Sequence, residues 1–505
     1  NLGCTSTQSY EKLSNGDTKV MAYEPDGGIK ITYTNTLGQN YKSSVKGFAT
    51  NTYISVNTNY DVLGRKTAES EPYFGDTPPP FPTNITYDAD VKVPGWNIIK
   101  YNDNVFPAKI KTISFNNKQA ESSAAGLVAT VKELNGYGRT TTKTSDALGN
   151  IVASTDKGGT ITFKYNAAGE NTEANYGGNI VKTSYDAWGN KTRFEDPANG
   201  VYTYEYNGYF GTLSKSISPK GTKSYTYNSK GQLVSQKEIS TDGSAATDKT
   251  ITFAYNDKGM LTNKSGTSKG KAFSSYVNYD ALGRVISSGE NSNDRYYLQK
   301  GLTYDDKGRI TSYEKSLYSA GVLTKVTIEN LYSSWSGALY QVKDKSANKV
   351  LWELQSTNAK GQVKKAQLGG TTVDNAYDDN GFLGSMLHIG NAAHNSVLSV
   401  IYNFDAVKNE LKSRNTGGDF NIQEQFDYDD NNRLVNWTDP VTNIKPSAER
   451  NVYDIKGRIT TNDQVGTFKF SNSQKIYQPT SMVLNDAGTQ NYNNDLLQKI
   501  TYNEK

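Results

Sequence analysis

The chain has 505 residues: 35% are hydrophobic, 36 are tyrosine, and 55 Lys+Arg stand against 51 Asp+Glu for a formal net charge of +4. With a mean hydropathy of −0.70, this is too polar for a thick core and too aromatic for disorder. Charges of both signs are interspersed and no run of 18 apolar residues occurs, which argues against a nucleic-acid arm, a polybasic membrane patch and a transmembrane helix.

Residues 1–130 read as the N-terminal part of a β-array. Strand-like segments run from Ile29 to Tyr33 and from Tyr53 to Val56, and a seven-residue pattern, YDVLGRK, opens at Tyr60. Seven of the 13 prolines fall in residues 71–107. Proline cannot sit in a central strand, so Glu71 to Thr83 is expected as a long irregular loop. It either crosses from one turn of a spiral to the next or acts as a flexible interdomain linker. Ala120 to Val131 fits a short helix or a strand.

From residue 131 to 505 the pattern dominates. It is rewritten at Ser145 (SDALGNI), Tyr165 (YNAAGEN), Tyr185 (YDAWGNK), Tyr227 (YNSKGQL), Tyr255 (YNDKGML), Tyr279 (YDALGRV), Tyr304 (YDDKGRI), Thr357 (TNAKGQV), Tyr377 (YDDNGFL), Tyr428 (YDDNNRL) and Tyr453 (YDIKGRI). Residues 311–356 lose it but keep strand composition. Another copy opens at Tyr502, so the natural protein is expected to continue, and the absence of an initial Met marks a fragment or a processed piece. Spacings of about 20–25 residues fit two strands and two turns, so each copy is one hairpin in an antiparallel sheet.

The pattern has a backbone cause. An aspartate suits the first position of a type I turn, and a glycine three residues later supplies positive φ. The turn residues singled out are Tyr60, Asp61 and Gly64; Tyr185, Asp186 and Gly189; Tyr279, Asp280 and Gly283; Tyr304, Asp305 and Gly308; Tyr377, Asp378 and Gly381; Tyr428, Asp429 and Asn432; and Tyr453, Asp454 and Gly457. Asn432 replaces the glycine, and asparagine is the next best residue at positive φ. Flanking residues alternate, as in Ile251, Phe253 and Tyr255, or Tyr202, Tyr204 and Tyr206, so one face of the sheet should carry tyrosine ladders. Lysines and acids are expected on the other.

Catalytic chemistry is poorly represented. The two histidines, His388 and His394, are six apart and lack the spacing of a metal pair. The single cysteine, Cys4, permits no internal disulfide, and the Leu2-Gly3-Cys4 run is read as incidental. Asp305-Asp306, Asp378-Asp379 and Asp429-Asp430 fall in turn slots, not at a carboxylate-pair active site. No catalytic, cofactor-binding or metal residue is expected.

These repeats resemble the YD repeats of the bacterial Rhs family, relatives of the Tc toxin cocoon and of animal teneurins. Longer passages share the resemblance: Ser70-Glu71-Pro72-Tyr73-Phe74; Leu351-Trp352-Glu353 followed by Asn358 to Val363; Phe404-Asp405-Ala406 with Asn409 and Arg414; and Phe426-Asp427-Tyr428-Asp429 with Arg433-Leu434. The resemblance implies an all-β chain of hairpins wound into a hollow spiral shell that holds a C-terminal toxin. It also implies a self-cleaving core with aspartates near Asp-Pro-x-Gly motifs. The only Asp-Pro steps here, Asp196-Pro197 and Asp439-Pro440, do not fit that motif, so the chain is expected to be non-catalytic shell wall. Its expected partners are its own C-terminal cargo and export machinery, with a type 9 route suggested by the Asn-, Lys- and Tyr-rich composition. Secretion or the bacterial surface is the expected location. The alternative is a surface adhesin binding glycans or partner cells.

Overall fold

The computed structural model describes residues 5–83, 85–90, 92–208, 211–241, 243, 248–268, 270–390, 397–473, 475–492 and 497–499. The chain divides into two units. The first is Asn1–Thr140, Thr303–Tyr313 and Val326–Pro446; the second is Thr141–Leu302, Glu314–Lys325 and Ser447–Lys505.

Among the described residues, thirty-seven strands belong to one long antiparallel sheet, in which hairpin follows hairpin in chain order. In the first unit Thr7–Lys12, Thr18–Tyr23, Ile29–Thr34, Asn40–Lys46 and Tyr53–Tyr60 each pair with the next. In the second, Ile151–Asp156, Gly159–Tyr165, Asn171–Tyr176, Asn179–Tyr185, Lys191–Asp196 and Gly200–Tyr206 do the same. The register shifts immediately before the repeat tyrosine, for example between Ser184 and Tyr185 and between Asn278 and Tyr279. This is a β-bulge built into each turn, and it adds local twist.

The bulge follows from the turn. Gly283 has φ +85 and Gly308 φ +81, a region that a side chain with a Cβ resists. Space is not the obstacle at Gly283, since an added Cβ would meet only the flexible end of the Met260 side chain, its sulfur at 3.4 Å and its methyl at 3.8 Å. Gly283→Val is therefore expected to destabilise its hairpin by roughly 1–2 kcal/mol through backbone strain. Limited proteolysis should reveal a new cut near residue 283; an unchanged digest would refute this account of the turn.

The ambiguous stretch resolves into strands, Gln119–Ala125 and Val128–Glu133, paired with each other. Helix is confined to Asp486–Asn491 among the described residues, capped by Asn485, whose side chain accepts from the Gly488 backbone N–H.

Three expectations need correction. The proline-rich segment is neither a crossing nor a flexible linker: after a two-residue strand, Tyr73–Phe74, it folds back over the sheet. Phe81 and Ile85 pack on the buried cluster Ala68, Val93, Trp96, Ile98 and Ile113. The Phe81 and Trp96 rings lie 4.7 Å apart, and the Trp96 indole N–H donates to the Pro79 carbonyl at 3.0 Å. Apolar burial holds this loop in place despite its prolines.

The sheet is also not single. Asn451–Tyr453, Ile459–Asn462, Gly466–Lys469, Ser481–Leu484 and Leu497–Lys499 form a second, five-stranded sheet carrying the last described repeat. The irregular stretch before it contains Pro440 and Pro446, which cannot donate to a ladder.

The tyrosine faces alternate as expected: Tyr202, Tyr204 and Tyr206 are half-buried while Val201 and Glu205 are exposed. The opposite faces, however, are rich in hydroxyls, as in Thr160 and Thr162 or Thr222, Ser224 and Thr226. Threonine suits the pleat, and neutral hydroxyls avoid the repulsion of like charges set side by side across strands.

Few apolar side chains are fully buried, and hydrogen bonds must do much of the joining.

Candidate functional site

The repeat turns are the most densely organised polar feature of the chain. At Tyr279 the Asp280 backbone N–H donates to the Arg284 carbonyl at 2.8 Å, and the Gly283 N–H donates to the Asp280 carbonyl at 3.0 Å. Asp280 Oδ1 accepts from the backbone N–H groups of Leu282 and Arg284, both at 2.9 Å, and Oδ2 accepts from Arg284 Nε at 2.7 Å. One carboxylate thus holds both backbone and side chain of the turn.

The same bonds recur at Asp61 with Arg65, Asp305 with Arg309, and Asp429 with Arg433. Asp454 holds Arg458 likewise. Asp186 and Asp146 use the amides of Asn190 and Asn150 instead. Where asparagine opens the turn, its amide donates to Glu170, Gln232 or Gln362. The residue four positions on mostly complements the first: a donor follows aspartate and an acceptor follows asparagine, except at Asn256, which is followed by Met260 and keeps the backbone bond alone. Sequence reasoning missed this pairing, although it is legible in the repeats. It also reveals an unrecognised copy at residues 34–40, where Asn35 and Gln39 form the same turn. Asp378, followed by Phe382, keeps only the backbone bonds of the pattern to positions two and four.

The tyrosines join one repeat to the previous one. The hydroxyls of Tyr165, Tyr185, Tyr227, Tyr255, Tyr279 and Tyr377 donate to the carbonyls of Ile151, Asn171, Leu213, Leu233, Leu261 and Val363 at 2.8–3.0 Å. Each acceptor begins the strand after the preceding turn. Tyr60 reaches Asn40 in this way, and Tyr332 reaches Ile310 from within the stretch where the motif is not legible. Arginine adds a second tie. Arg65 and Arg309 lie over the rings of Tyr101 and Tyr332, at 4.0 and 4.4 Å, a cation–π arrangement.

Asp305→Ala should cost roughly 1–2 kcal/mol, by analogy with the loss of a helix cap, and should leave Arg309 without its anchor. Asp305→Asn should cost less, because the amide oxygen can still accept from the Lys307 and Arg309 backbone N–H groups and only the bond to the Arg309 side chain is lost. Denaturant unfolding of the two variants checks the order, and equal losses would contradict the capping role.

Protonation follows from the same bonds. The Asn150 and Asn190 amides, with backbone N–H groups, hold Asp146 and Asp186 below the ordinary carboxylate range. At Asp305, Asp429 and Asp454 burial pushes the carboxyl up, but bonds from the backbone and the arginine outweigh it and the net direction is down.

The first unit also ties distant segments together. Lys46 Nζ donates to the carbonyls of Gly27 and Trp335 at 2.7 and 2.8 Å and lies 4.3 Å above the Trp335 ring. Glu410, 3% exposed, accepts from the Tyr137 hydroxyl at 2.7 Å and from the Asn432 amide at 2.9 Å. Arg139 donates to Asn432 Oδ1 at 2.6 Å and holds Glu133 through two nitrogens. Burial and the bond to Glu410 push the Tyr137 hydroxyl pKa up. Within the second unit the Tyr176 hydroxyl donates to the Ile455 carbonyl at 2.5 Å.

His388 lies in the strand Leu383–Ile389, opposite Val373 and Leu398; His394 and Cys4 lie outside the described residues. Among the described residues, no group of three or more His, Cys, Asp or Glu is placed to hold a metal ion. No described helix is long and apolar enough to cross a membrane. Asp196 and Asp439 are turn residues, accepting from the backbone N–H groups of Ala198 and Val441.

No family model matches the sequence, and no curated protein matches it. Among solved structures, the chain is similar to TcdB2-TccC3 without its hypervariable C-terminal region, with 12% identity and a TM-score of 0.48 over 93% of this chain and 29% of that one. It is also similar to a chain of the Photorhabdus luminescens Tc holotoxin pore, with 12% identity and a TM-score of 0.48 over 94% and 29%. A porin-like protein from Bacteroides uniformis shares 11% identity at a TM-score of 0.15, over 60% of this chain and 96% of that one. The chain thus spans less than a third of the length of the Tc-toxin chains.

Proposed function

We propose that the chain is wall: a non-catalytic stretch of β-hairpin-repeat shell that encloses a polypeptide carried on the same protein and accompanies it through export. The observation that carries this reading is how the repeat residues are used. Tyrosine hydroxyls that could present a binding surface are instead bonded to the backbone of the preceding hairpin. Aspartates that could act as acid and base instead hold turns. Bonds such as Tyr137 to Glu410 and Tyr176 to Ile455 tie hairpins far apart in sequence within each unit. A wall needs these ties along and across the array, and both its faces can stay polar. An adhesin built on tyrosine would need its hydroxyls free for a partner. Secretion, delivery to the cell surface and the type 9 route belong to the same proposal and rest on the repeat resemblance and composition.

The test is protease protection in the full-length protein. Polypeptide beyond the repeats should survive digestion while the array is folded and be cut once the array is opened in denaturant. Cleavage at the rate of the isolated downstream segment, with the array intact, would defeat the encapsulation reading.

A further inference from the structure

We propose that the second unit carries a binding groove for an acidic saccharide. It lies where the hairpins lengthen. The strands from Ile151–Asp156 to Gly221–Tyr227 have six or seven residues, but Leu261–Ser268, Lys271–Tyr279, Val285–Ser292 and Arg295–Tyr304 have eight to ten, and the lengthening continues into Ile310–Ser319. The extra length is at the end away from the repeat turns, and a groove of about 590 Å³ opens there.

Adjoining hollows extend it over Gly266 and over Arg295 and Tyr297, and the register sets the residues along it in two rows. Lys264, Ser275, Glu290 and Tyr297 are successive cross-strand partners, and so are Gly266, Phe273, Ser292 and Arg295. Three steps between strands of about 4.8 Å each make these rows roughly 14 Å long, the span of a short oligosaccharide. Phe273, half-buried, has the small residues Gly266 and Ser292 beside it across the strands and Ser275 two residues along, so part of its ring remains accessible. Lys271 follows on the same face, opposite Ser268.

The charges here are uncommitted. Among the described residues, Lys264, Lys271, Arg295 and Glu290 make no ion pair or side-chain hydrogen bond, in contrast to the paired acids of the turns. Three cations call for a carboxylate or sulfate on the ligand. Glu290, in the middle of its row, opposes a ligand that is only anionic but accepts hydrogen bonds from hydroxyls. Ser268, Ser275 and Ser292 line the same groove, and an aromatic ring suits the apolar face of a pyranose. A hydroxyl-rich anion satisfies all of these groups, whereas an acidic peptide satisfies only the cations. The inference is independent of the shell reading: the groove can bind whether or not the chain encloses a cargo.

Titration calorimetry with trigalacturonate, maltotriose and hexaglutamate tests it. Trigalacturonate should bind saturably and the other two at least about tenfold more weakly. The double change Lys271→Gln with Arg295→Gln should weaken trigalacturonate by about tenfold or more, the loss expected for charge-assisted bonds. Both residues are exposed, so the fold should be unaffected. Phe273→Leu, checked for folding by circular dichroism, should weaken it by about fivefold, a fraction of the worth of an aromatic contact. Absence of saturable binding, equal binding of hexaglutamate, or indifference to the double change would overturn the proposal.

Discussion

Replacing Asn432 by glycine, the residue that other repeats carry at this position, is expected to weaken the protein. If the turn alone mattered, Asn432→Gly would be neutral or stabilising, because φ is +60 there and glycine adopts that region freely. The Asn432 amide, however, donates to buried Glu410 and its oxygen accepts from Arg139. Glycine removes both bonds at once. Glu410 would keep only Tyr137 on one oxygen, and its other oxygen has no hydrogen-bond partner to compensate. Leaving buried polar groups short of a partner costs roughly 1–3 kcal/mol. The expected result is a lower denaturation midpoint with new proteolysis around residues 134–139 and 405–411, on both sides of the tie. Tyr137→Phe should produce a similar pattern. A midpoint unchanged or raised by Asn432→Gly would show that the asparagine is present for its backbone alone.

Acid is expected to loosen the array as a whole. The turn aspartates are held below their ordinary pKa of about 3.9, by amide partners at Asp146 and Asp186 and, against an opposing burial penalty, by backbone and arginine bonds at Asp305, Asp429 and Asp454. A group whose folded pKa is depressed contributes stability that is complete above the unfolded value and is lost as pH falls through the folded one. Melting temperature should therefore be level from pH 7 to about 5 and fall below about pH 4. The contributions of individual turns are small, but the same device recurs along the chain and the losses share one sign. Changing Asp146, Asp186, Asp305 and Asp429 together to asparagine should lower stability at neutral pH and flatten the acid limb. An acid limb as steep in that variant as in the parent would place the titrating groups elsewhere.

The hairpin repeat could be read from the chain because its causes are local. A turn that needs positive φ three residues after a capping side chain admits few residue types, so aspartate or asparagine and then glycine recur wherever the chain reverses. The alternation of Tyr202, Tyr204 and Tyr206 is equally local, since successive strand side chains point to opposite faces. The pairing of Asp280 with Arg284, or of Asn228 with Gln232, was also present in the sequence, because both partners lie in one turn.

Other features required the tertiary structure, because their causes are contacts between residues far apart in sequence. The tyrosine hydroxyl finds the backbone of the preceding hairpin, as from Tyr255 to Leu233, and a backbone carbonyl leaves no mark in composition. Tyr332 performs that task where the motif has worn away, since the acceptor demands only the hydroxyl. Phe81 and Ile85 hold the proline-rich loop on the sheet through apolar burial, which no local propensity encodes. Asn432 is the clearest case: its conformation is a property of one turn, but its side chain serves Glu410 and Arg139, and only the folded chain brings those residues to it.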